Sequence, residues 1–207
     1  MTANPPHGSD PRVSDPHVIQ PRVIEQRGLY FDELEEDVVY AHRPGRTVTE
    51  ADNVLFTTMT MNTQALHLDA AWSAEQPFGQ RLVNSMFTLA TVVGQSVPQL
   101  TQGTIIAQLG LTDVSFPHPM YHGDTLYTET VVTGKRLSSS RPGQGIVTMK
   151  HTGRNQNGEV VALATRSCLM WTREAHTAAQ QAHAPGTNLQ QSRTARKEPA
   201  QKGRIET

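Results

Sequence analysis

One histidine, His67, lies in the stretch MNTQALHLDAAW with Asn62, Gln64 and Asp69 around it. An imidazole with an ordinary pKa of about 6.5 takes or gives a proton near neutral pH, so His67 is a candidate acid or base. Asn62 cannot accept a proton, but its amide can orient a water by hydrogen bonding. Asp69, two residues beyond the histidine, is a candidate to orient the ring or to supply a carboxylate. The chemistry in reach is proton transfer on a small molecule. The competing reading is a polar connector with a hydrogen-bonded structural histidine.

Other titratable groups carry less. His118 and His122 flank the turn FPHPMYHGD at a spacing of four, but Pro117 and Pro119 rule out the helix that would aim them together. No third ligand is evident, so no metal site is expected. Gly123 and Asp124 read as turn residues, and His151 falls in a strand at a position expected to be exposed or stacking. Lys135, Ser138, Ser139, Ser140 and Arg141 border the segment SSSRPGQ, which reads as a solvated hairpin loop rather than a phosphate site. No P-loop or GxGxxG fingerprint occurs, and no nucleotide cofactor is expected.

The elements that must position the loop can be read from periodicity. Val38 to His42 form a short strand-like run before a Pro-Gly turn, and Thr49 with Asp52 makes a capping signal. Ala51, Val54, Leu55, Thr58 and Met59 then share one face of a predicted helix ending near Met61. After the loop, residues 81–97 carry Leu82, Val83, Met86, Phe87, Leu89, Ala90, Val92, Val93 and Val97 on nearly every side, which predicts a helix buried on most of its circumference. Then come TIIAQLGLTDVSF, TLYTETVVTGK, GIVTMKHTGRN and EVVALATRSCLMW, Val/Ile/Thr-rich runs separated by turn clusters. The Asn-Gly pair of NQNG supplies the positive φ that a tight hairpin needs. Consecutive strands with short links predict an antiparallel meander wrapped around the apolar helix, an α+β class.

The chain has 207 residues and a formal net charge of -1, which offers no argument for a nucleic-acid surface or a polybasic membrane patch. No apolar run approaches the roughly 20 residues that span a bilayer. The N-terminal MTANPPHGSDPRVSDP lacks the apolar core of a secretory signal, so a cytoplasmic protein is expected. The single cysteine, Cys168, excludes an internal disulfide framework and reads as a small core residue. Residues 1–27 and 174–207 are polar and poor in large apolar side chains, and are expected to be largely disordered tails around a folded unit at 28–173. Within the second tail, EAHTAAQQAHA has the makings of a short helix, and Arg193, Arg196 and Lys197 form a basic cluster.

These residues resemble a known family. The loop with LHLDAAWSA and PFGQRLVNSM is similar to the hydratase-2 motif of MaoC-like dehydratases and (R)-specific enoyl-CoA hydratases. That motif runs Gly-Asp-x-Asn-Pro-(Ile/Leu)-His-x-Asp, then Phe-Gly-x-x-(Ile/Leu)-(Ala/Val)-His-Gly-Met. VSFPHPMYHGDTLYTETVV resembles the family's strand entry. The resemblance implies a hot-dog fold, acyl-CoA thioester as substrate, no cofactor, and catalysis by an Asp/His pair that shares a water. It also implies backbone N–H groups at the start of the central helix, here Ser85 and Met86, as an oxyanion hole. His67 matches the family histidine and Asp69 the trailing acidic position. Asn62 stands where the family has its catalytic aspartate, Gln64 and Ala65 replace Asn-Pro, and Asn84-Ser85 replace His-Gly.

Hydration of a 2-enoyl-CoA by His67 with Asn62 positioning water is the leading expectation, on a short or branched acyl group such as the mesaconyl type. A hot-dog thioesterase and a noncatalytic acyl-thioester binder are the alternatives. No Asp or Glu occurs between Arg81 and Val97, where thioesterases of this fold usually carry one. A curved sheet leaves edge strands that need covering, and family members commonly pair, so a homodimer is expected.

Overall fold

The computed structural model describes residues 22–183. The basic cluster at Arg193, Arg196 and Lys197 lies outside the described residues, as do most of both tails.

The central helix, α4 (Ser85–Leu100), forms because Leu89, Val92, Ser96 and Leu100 recur at spacings of three and four and share one buried face. It ends at Thr101, just before Gly103 turns the chain at φ +71°. The strands are β1 (Val39–Thr47), β2 (Ile105–Ser115), β3 (Thr125–Leu137), β4 (Gln144–Arg154) and β5 (Val160–Trp171). They make one antiparallel sheet in the order β1-β3-β4-β5-β2, wrapped around α4 in the hot-dog arrangement. One inward position explains the close wrap. Gly153 of β4 has no room for a side chain, since a Cβ there would meet Val92 Cγ2 at 2.5 Å. Gly158 alone takes positive φ in the β4–β5 hairpin, where Asn155 Oδ1 accepts from Asn157 and Glu159 N–H.

The core has two apolar ends and a polar middle. Phe31, Leu34, Leu100, Val132, Val147, Met149, Cys168 and Met170 pack at one end of the helix. Val48, Val83, Val92, Met120, Leu126, Val161 and Ala162 pack at the other. Fully burying Leu34, Leu100 and Leu126 contributes about 2 kcal/mol each. Between the two ends, Thr130, His151 and Arg166 take the inward positions on β3, β4 and β5, and all three are buried.

Several expectations need correcting. The strand runs do not make a four-strand meander, because β2 pairs with β5 and the segment after it crosses to reach β3. The Pro-Gly pair at Pro44-Gly45 makes an irregularity inside β1 rather than a turn that ends it. The first helix, α1 (Glu50–Met59), turns Asn53 and Thr57 inward and leaves Leu55 and Met59 exposed. Polar partners at the loop and at the start of α4 outweigh the apolar period there. The predicted capping signal is present, with Thr49 and Asp52 bonded reciprocally. Helix α4 is buried on one face only, and Met86, Ala90 and Gly94 stay open at four-residue steps.

His151 is fully buried rather than exposed. Cys168 is buried, as its apolar run requires. Lys135 serves the fold, donating to the Leu34 and Phe31 carbonyls. Short helices α2 (Ala65–Leu68) and α3 (Ala70–Ala74) occupy the loop, and α5 (Arg173–His183) follows β5. His176 of α5 stacks on Trp171 and bonds Tyr30, which ties that helix to the body. Among the described residues no helix is long and apolar enough to cross a membrane.

Candidate active site

The candidate residues converge on the start of α4. His67 sits in α2, half-buried, and its Nδ1 lies 3.0 Å from the Leu82 carbonyl oxygen. A carbonyl only accepts, so Nδ1 carries the proton and Nε2 of the neutral ring is left with its lone pair. The backbone therefore sets the tautomer, in the role a carboxylate often plays, and Nε2 is the basic nitrogen.

Asn53, missed in the sequence, holds this arrangement together. It is fully buried, and its Nδ2 donates to the His67 carbonyl at 3.0 Å and to His122 Nε2 at 3.0 Å. Its Oδ1 accepts the Asn84 N–H at 2.8 Å, so one amide joins α1, the histidine loop, the start of α4 and the turn before β3. The signal available in the sequence was the Asn53–Thr57 pair, two polar residues four apart on a helix of otherwise mixed faces. His122 accepts from Asn53, and burial with the Arg81 charge nearby holds its pKa below the usual imidazole value. Arg81 in turn pairs with Glu50 at 2.5 Å.

Asn53→Ala strips partners from the Asn84 N–H and the His67 carbonyl together. Unfolding by denaturant is expected to show a loss of about 2–4 kcal/mol. Activity should fall further than the folded fraction does, because His67 loses its anchor.

The other predicted residues divide. Asn84 is buried and caps α4, its Oδ1 accepting the Met86 N–H at 2.9 Å and its Nδ2 donating to Thr57 Oγ at 3.3 Å. That capping bond takes the Met86 N–H out of the expected oxyanion hole. The Ser85 N–H, at the first helical position, has no acceptor among the described residues and points from the positive end of the helix dipole. Asn62 is half-buried and its Oδ1 accepts the Gln64 N–H at 2.9 Å, so its carbonyl side is turned to its own loop. Gln64 is exposed at the start of α2, and its carbonyl accepts the His67 N–H.

Asp69 does not orient His67. Its carboxylate accepts the Trp72 N–H at 3.0 Å and caps α3, because two adjacent short helices need a cap between them. Asp124 accepts the Tyr121 N–H, and Gly123 takes φ +93°, so that turn behaves as its sequence reads. Among the described residues no group of three His, Cys, Asp or Glu is placed to hold a metal ion.

Two cavities flank the helix start. One of about 240 Å³ is lined by Leu82, Ser85, Thr88, Phe78, Phe116 and Met120 among others. A second of about 340 Å³ runs along the open face of α4, between Met86, Leu89, Ala90 and Val93 and the β2 residues Gln108 and Leu111. His67 lines neither cavity. It is bonded to Leu82, which lines the first of them.

The chain is similar to proteins of one family in sequence and in fold. Residues 33–155 match the family model described as "MaoC like domain". The chain is 31% identical over 151 residues to a mesaconyl-CoA hydratase of Haloarcula marismortui, covering 72% of this chain and 42% of the relative. The chain thus spans less than half the length of the curated relatives of that name. A MaoC-like dehydratase from Rhodospirillum rubrum superposes with a TM-score of 0.63 at 27% identity, over 70% of this chain and 99% of that one. A Mycobacterium tuberculosis protein with a double hot-dog fold does so with a TM-score of 0.64 at 26% identity, over 72% of this chain and 46% of that one.

Proposed function

This chain belongs to the MaoC-like domain family, and on that premise we propose that it adds water to, or removes it from, a 2-enoyl-CoA thioester. The observation that carries the reading is the bond between His67 Nδ1 and the Leu82 carbonyl, which leaves Nε2 as a base above the start of α4. In the proposed hydration, Nε2 takes a proton from water as the water oxygen attacks the β-carbon. The electron pair of the double bond moves onto the thioester oxygen, to which the Ser85 N–H donates a hydrogen bond as the negative charge develops. The imidazolium, held by the Leu82 carbonyl, then returns the proton to the α-carbon. One histidine thus serves as base and then as acid, and no cofactor enters.

Asn62 is assigned to water positioning through its Nδ2, since Oδ1 is held by the Gln64 N–H. The acyl group is proposed to be short or branched, which the mesaconyl-CoA hydratase relatives support. The thioesterase alternative lacks a carboxylate on α4, where no Asp or Glu occurs from Ser85 to Leu100. A homodimer fits the open stripe of Met86, Ala90 and Gly94 and the exposed edge strand β2, where Leu109 is 52% exposed. The folded unit is proposed as residues 28–173, with α5 packed on it through His176.

The test is loss of enoyl-thioester absorbance across a panel of acyl chains, with free CoA followed in parallel. Hydration leaves the thioester intact, so CoA release without hydration overturns the reading in favour of a hydrolase. Asn62→Asp is expected to lower kcat/KM at least about tenfold. Aspartate removes the Nδ2 donor assigned to the water and adds a negative charge to the loop that carries His67. A variant faster than the parent would mean that the site works as an Asp/His pair and that the single-histidine scheme is wrong.

A further inference from the structure

His122 takes no part in the proposed proton transfers, yet it touches the residue that holds the site together. Its Nε2 lies 3.0 Å from Asn53 Nδ2. Asn53 is fully buried, and its amide has one workable orientation. Oδ1 must face the Asn84 N–H at 2.8 Å, because that group can only donate. Nδ2 must face the His67 carbonyl at 3.0 Å, because that group can only accept. Turning the amide over would set donor against donor and acceptor against acceptor. One Nδ2 proton is thus spent on His67, and the other is aimed at His122. The Leu82 carbonyl is farther from Nδ2, at 3.5 Å, and already holds His67 Nδ1. His122 Nε2 therefore has to present a lone pair, which leaves the proton of the neutral ring on Nδ1.

A proton on Nε2 would turn that contact into two donors pointing at each other. Asn53 cannot adapt by flipping, and a buried amide proton without a partner is costly. The imidazole is only half-buried, so protons reach it from water. Arg81, in the segment before α4, opposes a positive ring, and Glu50, at the start of α1, favours one. Arg81 and Glu50 are paired with each other, and burial adds to the side that keeps the ring neutral. In the ring's own turn, the Asp124 carboxylate is occupied by the Tyr121 N–H and by Gln156. A ring that gains a proton is driven off Asn53, and the amide loses one of its props. Its other two contacts, to the His67 carbonyl and the Asn84 N–H, set the proposed base against the Ser85 N–H that follows Asn84.

We infer that His122 is a positioning residue whose neutral ring locks Asn53, so that base and oxyanion donor keep their spacing only while His122 is unprotonated. This rests on the hydratase reading above. The acid limb of activity then depends on two protons, one taken by His67 as the base and one by His122 acting through Asn53.

The test compares His122→Gln, whose Oε1 can accept from Asn53 at every pH, with His122→Ala, which offers no acceptor. Both are assayed with the enoyl-CoA that the parent turns over fastest, and circular dichroism at each pH checks the fold. Between pH 7 and 5 the parent's log kcat/KM is expected to steepen beyond a slope of one towards two. His122→Gln keeps a slope of one and stays within about threefold of the parent at pH 8. His122→Ala is about tenfold slower at every pH, because Asn53 is left with an unpaired donor. Nitrogen-15 NMR of the full chain reads the same coupling without turnover. His122 Nε2 carries no proton at pH 8, and the Asn84 amide signal moves as the His122 ring titrates. A parent slope of one overturns the inference, as does a His122→Gln no faster than His122→Ala or an Asn84 amide indifferent to His122. An Asn84 amide that follows His122, with no enoyl-CoA hydrated, leaves the lock standing and removes the hydratase reading. Hydration with one pH profile in parent and His122→Gln does the reverse.

Discussion

His67→Ala is expected to hydrate 2-enoyl-CoA about 10²–10⁴-fold more slowly than the parent chain, with the fold retained. The magnitude is that of removing one positioned acid–base group, and here a single ring is proposed to perform both proton transfers. The ring makes one hydrogen bond, to the Leu82 carbonyl, whereas the backbone of His67 keeps its bonds from Asn53 and to Gln64 in the variant. Little stability is therefore at stake. The assay is the initial rate of loss of enoyl-thioester absorbance, with a thermal melt as the control for folding. A variant that turned over at the parent rate would falsify the assignment of His67 and return the loop to a structural role. His67→Gln should be as slow as His67→Ala, since an amide can take the Leu82 bond but cannot carry a proton.

The second large effect is loss of stability in mild acid, and it comes from the buried polar layer rather than the site. Gln99 Oε1 accepts from His42 Nδ1 at 2.8 Å, so His42 Nε2 must accept from the Thr130 hydroxyl at 2.8 Å. That spends the only Thr130 proton. Thr130 Oγ therefore accepts from His151 Nδ1 at 2.7 Å, and His151 Nε2 carries a buried lone pair with no partner. Protonating it would place a cation in the core beside the Arg166 charge and near His42. Burial first, then Arg166 and His42, push the His151 pKa down from 6.5 to about 3.

Above pH 6.5 His151 is neutral in both folded and unfolded chains, and its contribution is fully present. Below that value the unfolded chain takes up a proton that the folded one refuses until the pH nears 3. Stability then falls by about 1.4 kcal/mol for each pH unit, about 5 kcal/mol over the whole interval. His42 acts in the same direction, its pKa lowered chiefly by burial. Urea unfolding at pH 7.5, 5.5 and 4.5 measures the slope. His151→Asn should flatten it by close to one proton whatever its stability at pH 7.5. An unchanged slope in that variant would assign the acid sensitivity to other groups.

Local pattern made much of this protein legible. The motif around His67, the cap of α1, the apolar run of α4, the hairpin at Gly158 and the burial of Cys168 all follow from residues close together in the chain. Such features depend on backbone preference and on periodicity, both short-range, and sequence by itself determined them. It also determined that no acidic group would lie on α4. What only the tertiary structure decided depends on contacts across long separations. Asn53 reaches His122 over 69 residues and Asn84 over 31, against the apolar pattern of its own helix. The Leu82 carbonyl chooses the tautomer of His67 from 15 residues away. Asp69 and the Met86 N–H, both plausible partners by position, are consumed by helix caps once the helices exist. The pairing of β2 with β5 puts Leu111 beside Arg166, and closing the sheet over α4 is what buries the arginine and His151. Desolvation and hydrogen-bond saturation are properties of a packed interior, and no reading of neighbours in sequence contains them.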